Sequence, residues 1–171
     1  MWRKENAGAN SEPVAGRQAV AELRMQVTSY VIECADDALT FEFDSVYGDR
    51  VVRKVIVYGR FPNNPDVFNL ALGDKQPDGS IDDFARTNNN DMDKIMATVM
   101  QSLFIFFERY PVSIVYFTGS TQARTRLYQI IIAKELVAAR QMFTISGLQN
   151  GVPLPFEPNQ SYEAFLLQKN N

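Results

Sequence analysis

The residue types able to do chemistry concentrate in two stretches of the chain. In one, Gly119, Ser120 and Thr121 precede Arg124 and Arg126 at the start of a predicted helix. A helix N-terminus presents N–H groups without intrahelical acceptors and carries partial positive charge, so such a turn suits an oxyanion. Glycine admits close approach, either hydroxyl can donate, and an arginine fork bonds two oxygens of one phosphate at once. About 200° of helical rotation separates Arg124 from Arg126, yet side chains lean toward the N-terminus and both can reach back around one phosphate. These five residues are the predicted ligand-binding set. The same pattern has a structural reading, in which Ser120 or Thr121 caps the helix and the arginines pair with carboxylates.

The other stretch is acidic. Asp78, Asp82, Asp83, Asp91 and Asp93, with Asn88, Asn89 and Asn90, gather oxygen ligands of the kind hard cations take. Magnesium is the cofactor this chemistry would use, with Asp82 and Asp83 as its ligands and Asp82, Asp83 and Asp91 as the catalytic candidates. The spacing matches no calcium-binding loop, and the same residues dominate ordinary solvated turns. Carboxylates and arginines would form one phosphoryl-transfer site only where this loop folds over the Gly119 turn.

Much is excluded by what the chain lacks. It has no histidine and one cysteine, so Ser-His-Asp and Cys-His catalysis, the usual zinc site and an internal disulfide are all out. Neither a P-loop spacing nor a Gly-x-Gly-x-x-Gly fingerprint occurs. The Gly-Ser turn with a following Arg is similar to that of minimal nucleotidyltransferases, but a long helix stands where their paired carboxylates would be. A formal net charge of −3 gives no global pull toward nucleic acid or anionic membrane. No apolar run approaches the ~20 residues needed to cross a bilayer, and residues 1–10 lack an apolar signal core, so a cytoplasmic protein without membrane contacts is expected. Cys34 reads as a small buried apolar residue.

Elements must position these groups. Residues 1–16 have no hydrophobic period and read as a disordered tail before one domain over residues 17–171. Val20, Leu23, Val27, Tyr30 and Val31 fall at helical spacing, although residues 27–32 suit a strand equally. Phe41, Phe43 and Ser45 alternate with Thr40, Glu42 and Asp44, and Gly48 with Asp49 forms a type II′ hairpin connection to a central strand over residues 51–58. Arg50, Arg53, Lys54 and Arg60 along that strand read as surface cations. A loop over residues 61–65 precedes a third strand at residues 67–72, and residues 74–90 form a long loop. Met92, Ile95, Met96, Val99, Leu103, Phe106, Phe107 and Tyr110 mark an amphipathic helix stopped by Pro111, with residues 104–107 in the core. Residues 112–117 form a buried strand, and a second long helix runs to Gln141 with Ala123, Leu127, Ile130, Ile131, Val137 and Ala138 on one face. Strands follow at residues 142–145 and 162–167, with a proline-marked loop between. The expected fold is α+β: a mainly antiparallel sheet with two long amphipathic helices packed on one face.

Phe43 to Ser45, Asn69 to Asp74, Ile81 to Asp83, Asn89 to Asp91, Tyr110-Pro111 and the stretch Gly-Ser-Thr-x-Ala-Arg-Thr-Arg-Leu-Tyr from Gly119 to Tyr128 resemble a family of uncharacterised bacterial proteins. That family is found largely in Bacteroidota and is grouped as a domain of unknown function. The resemblance spans about Phe41 to Ile132, leaves residues 1–16 and the extension after Gly147 as departures, and implies a bacterial cytoplasmic setting. Two functions fit the residues. One is a protein that binds a phosphate-bearing ligand, a nucleotide or RNA, as a toxin-type module. The other is a non-enzymatic protein–protein interaction protein whose polar motifs are structural.

Overall fold

The computed structural model describes residues 28–83 and 91–171. The expected tail, residues 17–27 and the asparagine run at residues 84–90 lie outside them. From Thr40 the alternation works as a strand: Phe41, Phe43 and Ser45 are fully buried on one face. This strand, β2 (Thr40–Tyr47), pairs antiparallel with a two-residue edge, β1 (Glu33–Cys34), and with β3 (Arg50–Phe61). Gly48 has φ +57° and Asp49 does not share its sign, the type II′ pattern. β3 pairs in turn with β4 (Asn64–Lys75), so both strands run on through most of the expected loop at residues 61–65. The chain then makes a short β5 (Ile81–Asp82) against the end of β4.

Helix α1 (Met92–Arg109) lays its apolar face on this sheet. The Phe106 ring stacks on Tyr58 of β3 at 4.3 Å and meets Phe68 of β4 edge-on at 5.0 Å. The helix ends at Tyr110, before Pro111. β6 (Ile114–Phe117) follows and lies parallel to β4. Helices α2 (Gln122–Lys134) and α3 (Leu136–Met142) lead to β7 (Phe143–Gln149), β8 (Val152–Pro155) and β9 (Ala164–Lys169). All the described strands join one nine-stranded sheet in the order β1-β2-β3-β4-β6-β9-β7-β8, with β5 on β4. The fold is thus α+β with a mostly antiparallel sheet, as expected, and β4–β6 is the parallel pair among the described strands.

Four expectations need correction. The second long amphipathic helix is two helices broken at Glu135, and Ile130 and Val137 are exposed. What α2 buries instead is polar: Thr125 and Gln129, whose Nε2 donates to the carbonyls of Pro158 and Gln160. Tyr30 is buried while Val31 is exposed, and residues 28–32 form no helix; Ser29 and Tyr30 bond instead to Gln101 and Thr98 of α1. Cys34 is exposed on its edge strand, where partial desolvation and then Asp37 and Asp36 push its thiol pKa up. The proline-marked loop contains β8, an edge strand on which Pro153 and Pro155 are tolerated.

Candidate functional site

β4 changes partner along one edge. It pairs with β6 at Val67, Phe68 and Asn69, and with β5 at Asp74 and Lys75. Residues 70–73 meet neither strand on that edge, and a cleft of about 150 Å³ opens beside this stretch. It lies past the carboxyl end of β6, where the parallel pairing with β4 stops. β6 runs directly into Thr118 and Gly119, so the predicted turn forms one wall.

Gly119, Ser120, Arg124, Tyr128 and Asp83 line the cleft together with Asn69. Ser120 Oγ donates to the Asp83 carbonyl at 3.1 Å and receives Arg124 Nη1 at 2.7 Å. The acidic loop therefore does reach the turn, through Asp83. Thr121 is the N-cap of α2, its hydroxyl accepting from Arg124 N at 3.3 Å, and it does not line the cleft. The Gly119 amide donates to Thr125 Oγ1 at 3.1 Å. Glycine is obligatory here for a packing reason, since a Cβ would overlap the Thr125 amide and lie 2.6 Å from Arg124 Cβ. Arg126 is exposed and lies outside the cleft. The Tyr128 phenol is raised above its ordinary pKa by burial, with Asp83 adding to the shift and Arg124 opposing it. At neutral pH it is a hydrogen-bond donor and not a base.

The other acidic candidates go elsewhere. Asp82 sits opposite Asp74 on β4, and Asp74 opposite Lys54 on β3, so the three form a row across the sheet. Lys54 is buried with Asp74 and its Nζ lies 2.5 Å from Asp74 Oδ1, which corrects its reading as a surface cation. The signal was there, because Lys54 shares the parity of Ile56 and Tyr58, the inward residues of β3. Asp91, at the start of α1, accepts hydrogen bonds from Ser45 Oγ and from the Tyr30 hydroxyl, both at 2.6 Å. Burial first, then this carboxylate, raises the Tyr30 pKa. Neither Asp82 nor Asp91 lines the cleft. Among the described residues no group of three or more carboxylate or thiol side chains gathers closely enough to hold a metal.

Residues 26–170 match a family described as "Family of unknown function (DUF6934)". The chain belongs to DUF6934. The match extends well past the expected limits and takes in the stretch after Gly147, which had stood as a departure. The fold explains why: β9 lies between β6 and β7, so the sheet is incomplete without it. The cleft and the Lys54 row both fall within the DUF6934 segment. No curated protein and no solved structure matches the chain.

Proposed function

We propose that the cleft at the carboxyl end of β6 binds a phosphate-bearing ligand, a nucleotide or an RNA end, in the bacterial cytoplasm. The observation that carries this reading is the half-buried Arg124, braced by Ser120 against the notch where β4 changes partner. Arg124 and Ser120 supply the anion contacts, and the Asp83 carboxylate, an acceptor, suits a sugar hydroxyl beside the phosphate. A space of about 150 Å³ takes a phosphate and part of a sugar, so a base would project outward. Binding is the role these groups suit, with the protonated Tyr128 as a further hydrogen-bond donor. The test is titration with ribonucleoside mono- and diphosphates by calorimetry. Arg124→Gln should weaken binding at least tenfold, about the worth of one charged hydrogen bond, while Arg126→Gln stays within twofold of wild type. Equal losses at the two positions, or no binding by wild type, would sink the proposal.

The second reading, an interaction protein with structural polar motifs, is favoured by the internal use of the turn. Gly119 N, Thr121 Oγ1 and Ser120 Oγ all bond within the chain. On that reading Arg124→Gln lowers the melting temperature, and no phosphate compound raises it for the wild type.

A further inference from the structure

Between the sheet and the three described helices lies an apolar cavity of about 600 Å³, with Met96, Met100, Ile131 and Leu167 in its walls. Interiors pack too closely to leave many such voids, whereas ligand sites are of this size and mostly apolar. Leu70, Leu72, Phe117 and Tyr128 line both this cavity and the phosphate cleft, so a single layer of side chains divides the two spaces. The layer sits where residues 70–73 of β4 meet neither β5 nor β6, and no strand ladder with either closes it. Its two rings, Phe117 and Tyr128, meet edge-on with centroids 6.2 Å apart, toward the far end of the range for ring contacts. Among the described residues no hydrogen bond holds the Tyr128 hydroxyl, although buried hydroxyls ordinarily find a partner.

Charge sets which space takes the anion. The charged residues lining the cavity are Asp93, Lys134 and Glu135, and Lys134 already pairs with Asp93 at 3.5 Å, so an anion gains nothing there. On the cleft side Arg124 is the cation among the described lining residues, with the Asp83 carboxylate beside it. One arginine next to one carboxylate matches a phosphodiester, which carries a single negative charge, better than a monoester, which carries about two near neutral pH. We propose that the ligand is such a diester, a nucleotide esterified to an apolar alcohol. Its ribose lies against Asp83, its phosphate on Arg124 and Ser120, and its apolar chain passes Tyr128 into the cavity. The Tyr128 hydroxyl then donates to a phosphate oxygen. This inference rests on the phosphate reading of the cleft and names the class of molecule that fills both spaces.

Two measurements on the full wild-type chain test this, with AMP and its methyl and hexyl phosphate esters as probes. The two esters have the same charge and differ only in the chain. Burial of a methylene is worth about fourfold in affinity, so even after the cost of ordering the chain the hexyl ester should bind at least about tenfold more tightly than the methyl ester in calorimetric titration. With isotope-labelled methionine methyl groups, the hexyl ester should shift the nuclear magnetic resonance signals of Met96 and Met100, which line the cavity, and leave those of Met92 and Met142, which do not. The methyl ester should move none of the four. A smaller gain in affinity, or shifts that miss Met96 and Met100, would overturn this inference while AMP binding left the phosphate reading standing. No binding by AMP or by either ester would overturn both.

Discussion

Gly119 shows how a residue can look functional and be required for packing. Its position after β6 leaves no room for a Cβ, because the first turn of α2 folds back so that the Thr125 amide and Arg124 Cβ occupy that space. Backbone cannot yield as a flexible side chain can, so Gly119→Ala should destabilise the fold by about 2 kcal/mol, in the range of overpacked sites. The urea midpoint reads this directly, and a loss below a few tenths would show that the turn shifts freely. The residue types at this turn were legible in the sequence because their chemistry is local: a glycine, a hydroxyl and an arginine within a few positions. What was not legible was which arginine lines the cleft. Arg124 and Arg126 differ only in where the helix surface turns them, and that depends on how α2 is seated. Its seating rests on Thr125 and Gln129, polar residues that an apolar-stripe reading passes over.

At the scale of elements, the strands were easier to read than the helices. Phe41, Phe43 and Ser45 announced β2, and the Gly48-Asp49 pair announced its turn. The turn into β8 had an equally plain signal in Asn150-Gly151, with φ +50° and +73°, but the flanking prolines argued for a loop. Cross-strand partners are the part that sequence does not carry, since register joins residues far apart in the chain. On the outer face of the meander, Glu42 of β2 accepts from Lys75 of β4 at 2.6 Å and from Arg53 of β3 at 3.1 Å, while Arg53 also reaches Glu33 of β1 at 2.6 Å. The Lys75 bond, opposed by burial and supported by Arg53, holds the Glu42 carboxyl below its ordinary range. A folded-state pKa lower than the unfolded one contributes stability that is fully present above the unfolded value and is lost as pH falls through the folded one. Glu42→Gln should therefore cost about 1 kcal/mol at neutral pH, given partial solvent exposure. The gap from wild type should hold down to about pH 5 and close in stronger acid. Denaturation curves at a series of pH values check this, and a gap that persists at pH 2 would assign the loss to packing instead.

The whole molecule poses a question of cooperativity. Its sheet consists of two antiparallel groups, β1 to β5 and β6 to β9, and the ladder between them is the short parallel pairing of β4 with β6 at three register positions. Three pairs are a weak hinge, and a sheet joined only there would open as two halves. α1 supplies what the ladder lacks. Its Phe106 stacks on Tyr58 in the first group, and its Phe107 and Phe104 meet the ring of Phe143 in the second at 5.5 and 5.6 Å. Phe68 lies at the seam itself, buried on β4 opposite Val115 of β6, with its ring against Phe106 and Tyr110 and under the Arg60 guanidinium at 4.6 Å. Phe68→Ala removes a buried aromatic ring and should cost about 3–5 kcal/mol, a large share of the roughly 5–15 kcal/mol a domain possesses. Because α1 still spans both groups, the variant should unfold in one transition, with far- and near-ultraviolet circular dichroism coinciding and the urea slope unchanged while the midpoint falls. Separation of the two traces, or a shallower slope, would show instead that the seam at Phe68 and not the helix makes the two groups one folding unit.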